Sequence, residues 1–150
     1  MSPVQGELVE LRPEDTHALR RAVLRTGTPS EAVVFEGDEL ASTFHLGIRA
    51  GGEIVAVSTW MERPYPDRPA ERGFQVRGMA TADSMRGSGL GARLLAAGIE
   101  RCREAGALLV WARARDAALG FYARHGFTTV GPGYVDLTTG LPHHDVIREI

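Results

Sequence analysis

The residues best suited to chemistry form a glycine-rich segment, Met85-Arg86-Gly87-Ser88-Gly89-Leu90-Gly91-Ala92, which lies between a strand-like run and an amphipathic helix. A glycine turn at the start of a helix directs several backbone N–H groups toward one point, and the helix dipole adds partial positive charge there. Arg86 adds a guanidinium, whose geometry suits a phosphate. The pattern predicts that this turn binds a phosphate-bearing cofactor.

The same glycines allow three alternatives, namely a dinucleotide-binding turn, a Walker-type loop and a turn without a ligand. Residues 87–92 satisfy the loose Gly-x-Gly-x-x-Gly/Ala pattern of dinucleotide-binding folds, which would make the chain a nicotinamide-dependent oxidoreductase. That fold places the turn after its first strand, whereas here it lies past the midpoint of the chain. A Walker-type loop is excluded because no Lys-Ser/Thr pair follows. A turn without a ligand is disfavoured, since three glycines and an arginine exceed what chain reversal requires.

Composition restricts the setting in which such a turn works. A chain of 150 residues that is 43% hydrophobic has the size of one domain, here residues 1–150. Seventeen basic residues, all arginine, against nineteen acidic ones leave a charge of -2, which gives no electrostatic argument for nucleic acid or an anionic membrane as partner. The lone Cys102 cannot form an internal disulfide, and no apolar stretch predicts a signal peptide or membrane span, so we expect a cytoplasmic protein.

The elements that position the glycine turn follow from hydrophobic periodicity and turn residues. Strands are predicted at residues 7–11, 44–49, 54–60, 73–81, 107–112, 127–130 and 144–150. Helices are predicted from Pro13 to about Arg25, from the glycine turn to about Ala105, and from Asp116 to near His125. Loops are predicted at 26–42, 63–72 and 131–142. This order indicates an α/β (α+β) protein with a mixed sheet.

Two separated motifs carry a resemblance to a known family. Arg86 to Gly91 matches Arg/Gln-x-x-Gly-x-Gly/Ala, and residues 118–127, Ala-Leu-Gly-Phe-Tyr-Ala-Arg-His-Gly-Phe, match a helix ending Phe-Tyr-x-x-x-Gly-Phe. Residues 78–81, Gly-Met-Ala-Thr, resemble the end of a central strand. With these motifs, and with the element order from about Glu7 to the C-terminus, the chain resembles the GNAT superfamily of acetyl-CoA-dependent N-acetyltransferases.

The resemblance implies a fold and a cofactor site. The fold is a GNAT-like mixed central sheet of about six to seven strands, splayed between the fourth and fifth and flanked by three to four helices. Acetyl-CoA is then the acyl donor, and no metal is required. The residues that the resemblance places against the coenzyme are Met79, Ala80 and Thr81 for the pantetheine arm, Arg86, Gly87, Ser88, Gly89, Leu90, Gly91 and Ala92 for the diphosphate, and Phe121.

Two residues of the second motif carry specific expectations. Tyr122 resembles the tyrosine that protonates the departing thiolate, and its alternative role is a core aromatic. Asp116 stands where the family often has an asparagine that contacts the pantetheine arm. A carboxylate cannot donate a hydrogen bond, so Asp116 is either a coenzyme contact or, as we favour, a helix N-cap.

The residues that would receive the acceptor amine are less marked. Glu62, His45 and His143 are weak substrate-side candidates, and Asp38 and Glu39 are further candidates for a general base. A chain of waters that removes the ammonium proton would leave no side-chain signature. Adjacent His143 and His144 would point to opposite faces of a strand, so they would not share a metal ion.

The function implied by the resemblance is acetyl transfer from acetyl-CoA to a primary amine of a small molecule or peptide, by direct attack in a ternary complex. The resemblance allows a homodimer. The alternative is a non-catalytic acyl-CoA sensor or partner-binding domain that kept the cofactor site. Acceptor specificity is expected from the loops at 26–42, 63–72 and 131–142.

Overall fold

A single mixed sheet forms the centre of the protein in the computed structural model, which describes residues 6–150. Seven strands occur in chain order as β1 Glu7–Leu11, β2 Phe44–Ala50, β3 Glu53–Glu62, β4 Gly73–Thr81, β5 Leu109–Arg115, β6 Thr128–Val135 and β7 Pro142–Glu149. Their order in the sheet is β1-β2-β3-β4-β5-β7-β6. Only β4 and β5 pair in parallel, and every other neighbouring pair is antiparallel. The predicted mixed sheet is confirmed.

Three helical segments flank the sheet, as predicted. The first, α1, consists of a 3-10 turn at Pro13–Thr16, one α-helical turn at His17–Leu19 and a π-helical turn at Arg20–Arg25. Helix α2 spans Leu90–Glu104, and α3 spans Leu119–Arg124 after a 3-10 turn at Asp116–Ala118. The predicted regular helix over 13–25 is therefore correct in extent but irregular in geometry.

The last two strands are longer than predicted. Strand β6 continues to Val135 and β7 begins at Pro142, so the predicted loop over 131–142 shrinks to residues 136–141. Glycine and proline in this stretch suggested a loop, but β6 is the edge of the sheet, where proline removes no ladder hydrogen bond. A register shift between Val130 and Tyr134 accommodates the irregular residues.

The two faces of the sheet carry different layers. On one face, α2 and α3 enclose the largest core cluster, with Leu94, Trp60 and Phe127 among its buried members. Gly98 lies on the face of α2 that meets Trp60, and a Cβ there would stand 1.9 Å from the indole. On the opposite face, α1 packs against Val57 and neighbouring residues of the sheet. The splay between β4 and β5 described next connects the two faces.

Strands β4 and β5 separate soon after they pair. Three pairs join them, Gly73 with Leu109, Phe74 with Val110 and Gln75 with Trp111. Beyond Gln75 the strands diverge, which leaves residues 76–81 of β4 without a neighbour on that side. The predicted splay between the fourth and fifth strands is confirmed, and it exposes backbone groups that an extended ligand can pair with.

A bulge in β4 lies beside the opening. Val57 pairs with Ala80, but Thr59 pairs with Arg77, so β4 holds one extra residue at Gly78 or Met79. Gly78 has φ +58, and a Cβ there would stand 2.9 Å from the Phe35 ring and 3.2 Å from Arg20 Nε. Glycine is therefore required here by both backbone conformation and close packing.

Candidate functional site

A cleft of about 460 Å³ opens where β4 and β5 diverge. Its walls come from residues 75–79 of β4 and residues 113–115 of β5, and Tyr122 and His143 also line it. Val76, Ala114 and Tyr122 belong to the core beneath α2 and α3, whereas Phe35 belongs to the opposite layer. The cleft thus passes between the strands and reaches both faces of the sheet.

The glycine turn at residues 86–91 presents unpaired backbone N–H groups at the start of α2. Gly87 and Gly89 adopt φ +79 and +82, which L side chains rarely adopt. Within residues 87–92, five amides find no backbone acceptor in the part of the chain that the structure describes, namely those of Gly87, Gly89, Leu90, Gly91 and Ala92. A Cβ on Gly87 or Gly89 would stand in open space, so the turn is an open cradle.

This cradle fits a diphosphate. Unpaired N–H groups at a helix N-terminus, together with the helix dipole, bind anions. Arg86 forms an exposed ion pair with Asp83, with 3.2 Å between Nε and Oδ1, so its guanidinium is held beside the turn. Phe121 packs on the other side, because a Cβ on Gly91 would lie 3.4 Å from its ring. The residues predicted for the diphosphate and Phe121 therefore lie together.

Tyr122 is held in a rigid aromatic setting at the cleft. Its ring makes edge contacts with Phe121 at 5.3 Å and with Phe127 at 5.1 Å between centroids. Burial raises the pKa of Tyr122 to about 12. Its hydroxyl has no hydrogen-bond partner among the residues that the structure describes. Tyr122 is thus a neutral O–H donor whose proton is available to a group in the cleft.

The sequence matches the acetyltransferase (GNAT) family over residues 10–127. The chain belongs to the GNAT acetyltransferase family. It is 27% identical over 125 residues to the uncharacterized N-acetyltransferase YitI of Bacillus subtilis (strain 168), covering 83% of this chain and 84% of YitI. Membership makes this protein an acyltransferase, and the nicotinamide-dependent alternative is wrong.

Solved structures share the fold at low sequence identity. Escherichia coli ElaA superposes with a TM-score of 0.79 at 20% identity, over 95% of this chain and 99% of ElaA. FeeM, an N-acyl amino acid synthase from uncultured soil microbes, superposes with a TM-score of 0.83 at 12% identity, over 98% of this chain and 92% of FeeM. These likenesses confirm the GNAT fold of this protein.

The predicted pantetheine contacts of this GNAT domain lie on β4 beyond the splay. Met79 lines the cleft, whereas Ala80 and Thr81 pair with β3 and stand at the end of the strand. All three follow the last β4 residue that pairs with β5. Their position on an edge without a neighbouring strand is the one that an added extended ligand requires.

Asp116 does not cap a helix. It is the first residue of a 3-10 turn whose N-cap is Arg115, and neither that turn nor α3 has a side-chain cap hydrogen bond. Instead, Asp116 Oδ1 lies 2.7 Å from His144 Nδ1. The favoured N-cap role was wrong. The Asp116 carboxylate contacts His144 of β7, which is distant in sequence, and makes no hydrogen bond to the amides of the turn.

Of the predicted substrate-side residues, His143 lies in the cleft. Its Nδ1 lies 3.0 Å from the carbonyl oxygen of Leu141, so that nitrogen is the donor and Nε2 is left with a lone pair. His144 points to the other face, toward Asp116, as strand alternation predicted. His143 thus offers a nitrogen base beside the opening.

His45 and Glu62, the other substrate-side predictions, do not line the cleft. Both ring nitrogens of His45 are engaged inside the protein, with Thr59 Oγ1 at 2.8 Å and the Asp38 carbonyl oxygen at 3.1 Å. Glu62 forms an ion pair with Arg72 at 2.7 Å outside the cleft. Glu39, another candidate base, is exposed and also does not line the cleft.

Asp38 is a structural residue, not a base. It makes a bidentate ion pair with the fully buried Arg20 at 2.7 and 2.9 Å and accepts a hydrogen bond from the Phe35 amide. Arg20 also donates to Thr59 Oγ1 at 2.7 Å. This buried network ties α1 and the 26–42 segment to the sheet, and sequence reasoning did not find it.

The sequence analysis did not single out the arginines that line the cleft. Five of them line the cleft, namely Arg25, Arg63, Arg77, Arg113 and Arg115. None of the five is within 4.0 Å of a carboxylate oxygen of residues 6–150. Alternation along 113–115 could have indicated that two of them share a face, but not which face meets the cleft.

Within residues 6–150, no group of three or more His, Cys, Asp or Glu side chains is arranged to hold a metal ion. Across the same residues, no helix is long and apolar enough to span a membrane.

Proposed function

We propose that this GNAT domain transfers the acetyl group of acetyl-CoA to a primary amine by direct attack in a ternary complex. The observation that carries the proposal is the position of Tyr122, a neutral hydroxyl without a protein partner at the opening between β4 and β5. In this proposal acetyl-CoA supplies the activated thioester, and the remaining steps concern residues of the chain.

The cradle and the strand edge orient the donor. The free amides of Gly87 and of residues 89–92 hold the diphosphate, and the unpaired edge of β4 pairs with the amides of the pantetheine arm. Met79, which lies beside the bulge and lines the cleft, or the next residue, Ala80, offers a backbone N–H for the thioester carbonyl oxygen. Fixing the thioester against β4 leaves its carbonyl accessible from the α1 face, where the amine enters.

In this proposal, two side chains that line the cleft transfer protons, those of His143 and Tyr122. The amine must lose a proton to attack, and His143 Nε2 carries the lone pair that accepts it. As the C–S bond breaks, the leaving thiolate needs a proton, which the Tyr122 hydroxyl donates. The nitrogen of the adduct still carries one proton more than the amide, and it gives this proton to the Tyr122 phenolate as the amide forms, while His143 releases its proton to solvent.

The test is the substitution Tyr122→Phe, which keeps the ring contacts and removes the donor. We expect kcat for acetyl transfer to fall by about 100-fold, because general acids contribute at least that factor. The dissociation constant for CoA should stay within about twofold by calorimetry, since the phosphate cradle is untouched.

Tyr134→Phe is the matched control. Its hydroxyl donates to Asp145 at 2.6 Å, away from the cleft lining, so kcat should not change. A wild-type protein that binds CoA but acetylates no amine would favour the non-catalytic acyl-CoA sensor. Equal kcat in Tyr122→Phe and wild type would remove Tyr122 from the mechanism.

The proposal extends to the organisation and setting of the protein. We propose that residues 1–150 form one domain, since the family match and a continuous sheet cover most of the chain. We also propose a cytoplasmic enzyme that acts on a small-molecule or peptide amine without nucleic acid, membrane or metal. A homodimer is compatible with this scheme.

A further inference from the structure

We propose that the acceptor amine carries an anionic group, a carboxylate or a phosphate, which three arginines of the cleft bind. These residues are Arg63, Arg77 and Arg113, here called the arginine triad. The inference rests on the proposed acetyl transfer and adds the chemical class of the acceptor. Four observations support it, which concern position, partners, neighbouring charge and distance from the cradle.

The triad lies on the α1 face of the sheet. Phe74 and Val76 pack beneath α2, so the alternating Gln75 and Arg77 of β4 point to the opposite face. Arg113 follows Trp111 by two residues on β5, and its guanidinium lies 5.8 Å from the Trp111 ring. Arg63 donates to Gln75 Oε1 at 2.8 Å, which brings it to the same face.

The triad arginines have no carboxylate partner within residues 6–150. Arg77 lies against the Phe35 ring, with 4.5 Å from Cζ to the centroid, and its other polar contact is Met61 Sδ at 3.9 Å. Arg113 stands opposite Asp145 in the sheet, but Asp145 accepts hydrogen bonds from the hydroxyls of Tyr65 and Tyr134. Three guanidiniums thus retain free donors for an oxyanion.

The protein offsets electrostatic repulsion within the triad only in part, through Asp38, which favours the charged form of Arg77 but is itself paired with Arg20. Burial, followed by repulsion from Arg63 and Arg20, lowers the pKa of Arg77. The other two arginines of the cleft differ from the triad. Arg25 and Arg115 have Asp136 near them, and each donates a hydrogen bond to a backbone carbonyl oxygen. Glu36 and Asp136 are the two acidic residues of the cleft lining, and neither pairs with a triad arginine. Binding of an anionic ligand would therefore reduce the repulsion between the triad arginines.

The coenzyme's own diphosphate is not the anion that the triad faces. The cradle is at the start of α2, on the opposite face of the sheet from Arg77 and Arg113. An anion bound by the triad therefore belongs to the second substrate. Because guanidiniums bind carboxylates and phosphates in the same bidentate geometry, both chemical groups satisfy the site.

The test compares matched amines that differ in one anionic group. The pairs are β-alanine with β-alaninamide and O-phosphoethanolamine with ethanolamine, each assayed for acetyl-CoA consumption. In at least one of the two pairs, we expect the anionic amine to have a kcat/KM at least about tenfold higher than that of its neutral partner. Arg77→Gln and Arg113→Gln should each remove most of that preference and leave the neutral amines unchanged.

Controls separate charge from stability. Arg103→Gln removes a guanidinium from the exposed face of α2, where Arg103 pairs with Glu100, so the preference should persist. Arg113 is exposed, so its substitution tests the site even if Arg77→Gln lowers stability. Two results would overturn the inference. One is an equal kcat/KM of wild type for the charged and the neutral amine of each pair. The other is an equal fall in kcat/KM for both amines in the triad variants.

A binding measurement separates this inference from the proposed function. Glutarate, a dicarboxylate without an amine, should bind wild type in calorimetry and bind both triad variants at least about tenfold more weakly. If glutarate binds in this way but no amine is acetylated, the anion site stands and acetyl transfer fails. If neutral amines are acetylated and glutarate does not bind, acetyl transfer stands and the anion site is overturned.

Discussion

In the proposed mechanism, two side chains at the cleft have different roles in proton transfer because their surroundings differ. Tyr122 is enclosed by aromatic rings, and burial raises its pKa to about 12. His143 has Nδ1 committed to the Leu141 carbonyl oxygen and Nε2 available. A donor that stays protonated and a base with a free lone pair are the two groups that amine attack on a thioester requires.

The pH dependence of the reaction tests this division. Because Tyr122 ionises only near pH 12, it should produce no alkaline loss of activity below about pH 10. The dependence at lower pH then reports deprotonation of the amine. His143→Gln should lower kcat/KM at pH 7 by about tenfold or more, with recovery at alkaline pH, where the amine is already neutral.

The measurement is a kcat/KM profile from pH 6 to 10 for wild type and His143→Gln, with His144→Gln as control. His144 pairs with Asp116 on the other face, so its profile should match wild type. A constant ratio between the His143→Gln and wild-type rates across this range would assign deprotonation to water instead.

At the scale of elements, the junction of β4, its bulge and the turn before α2 creates the proposed donor site. The turn depends on left-handed glycines, while the strand edge depends on early divergence from β5. Neither feature involves a catalytic side chain. Backbone conformation alone thus determines where the N–H groups point.

Substituting one turn glycine separates backbone geometry from general strain. Gly89 has φ +82 and open space around it, so Gly89→Ala introduces strain of about 1 kcal/mol or more without a clash. We expect CoA affinity to fall by about tenfold, because relief of the strain reorients the amides of the cradle. Calorimetric titration of CoA measures the change.

Gly51→Ala is the matched control, since Gly51 also has a positive φ, +59, and open space but lies in the hairpin between β2 and β3. Both variants should lose similar stability, and Gly51→Ala should retain CoA affinity. Equal affinities in the two variants would remove the turn from coenzyme binding.

At the scale of the whole molecule, one buried ion pair holds α1 and the segment 26–42 against the sheet. Arg20 and Asp38 have side chains 0% and 1% exposed, and Arg20 also donates to the Val33 carbonyl oxygen and stacks on Phe35. The segment 26–42 contains no strand or regular helix, so this network largely determines where it lies. The position of the cleft wall at Phe35 therefore depends on it.

Breaking the pair should destabilise the fold in a pH-dependent way. Burial alone would raise the pKa of Asp38, but hydrogen bonds from Arg20 and the Phe35 amide outweigh it and lower the pKa. A depressed carboxyl pKa contributes stability that is present above its unfolded value near 3.9 and is lost as pH falls through the folded value. Asp38→Asn should lose about 3–5 kcal/mol of unfolding free energy at pH 7.

Urea unfolding at pH 7 and near pH 3 measures the effect. The difference between wild type and Asp38→Asn should begin to shrink at the lower pH, because Asp38 takes up a proton more readily in the unfolded chain than in the folded one. Glu39→Gln, an exposed neighbour, should match wild type at both pH values. An unchanged difference at the two pH values would mean that the ion pair does not supply the stability.

The sequence by itself determined the elements and the donor-side motif. Strand alternation, helix periodicity and the glycine turn are local patterns, and they predicted the mixed sheet and the cradle at residues 86–91, whereas the splay was implied by the family resemblance. Family resemblance added Tyr122, and strand alternation placed His143 and His144 on opposite faces.

Only the tertiary structure decided what the remaining polar residues contact. His45, Glu62 and Asp38 carry the right chemistry for a base, but partners distant in sequence occupy them. Asp116 pairs with a histidine of β7 rather than capping a helix. The arginine triad comes from β4, from β5 and from the residue that follows β3, so sequence patterns along the chain could not show that its members converge. Local pattern fixes a residue's conformation, whereas its partner depends on which strands the fold brings together.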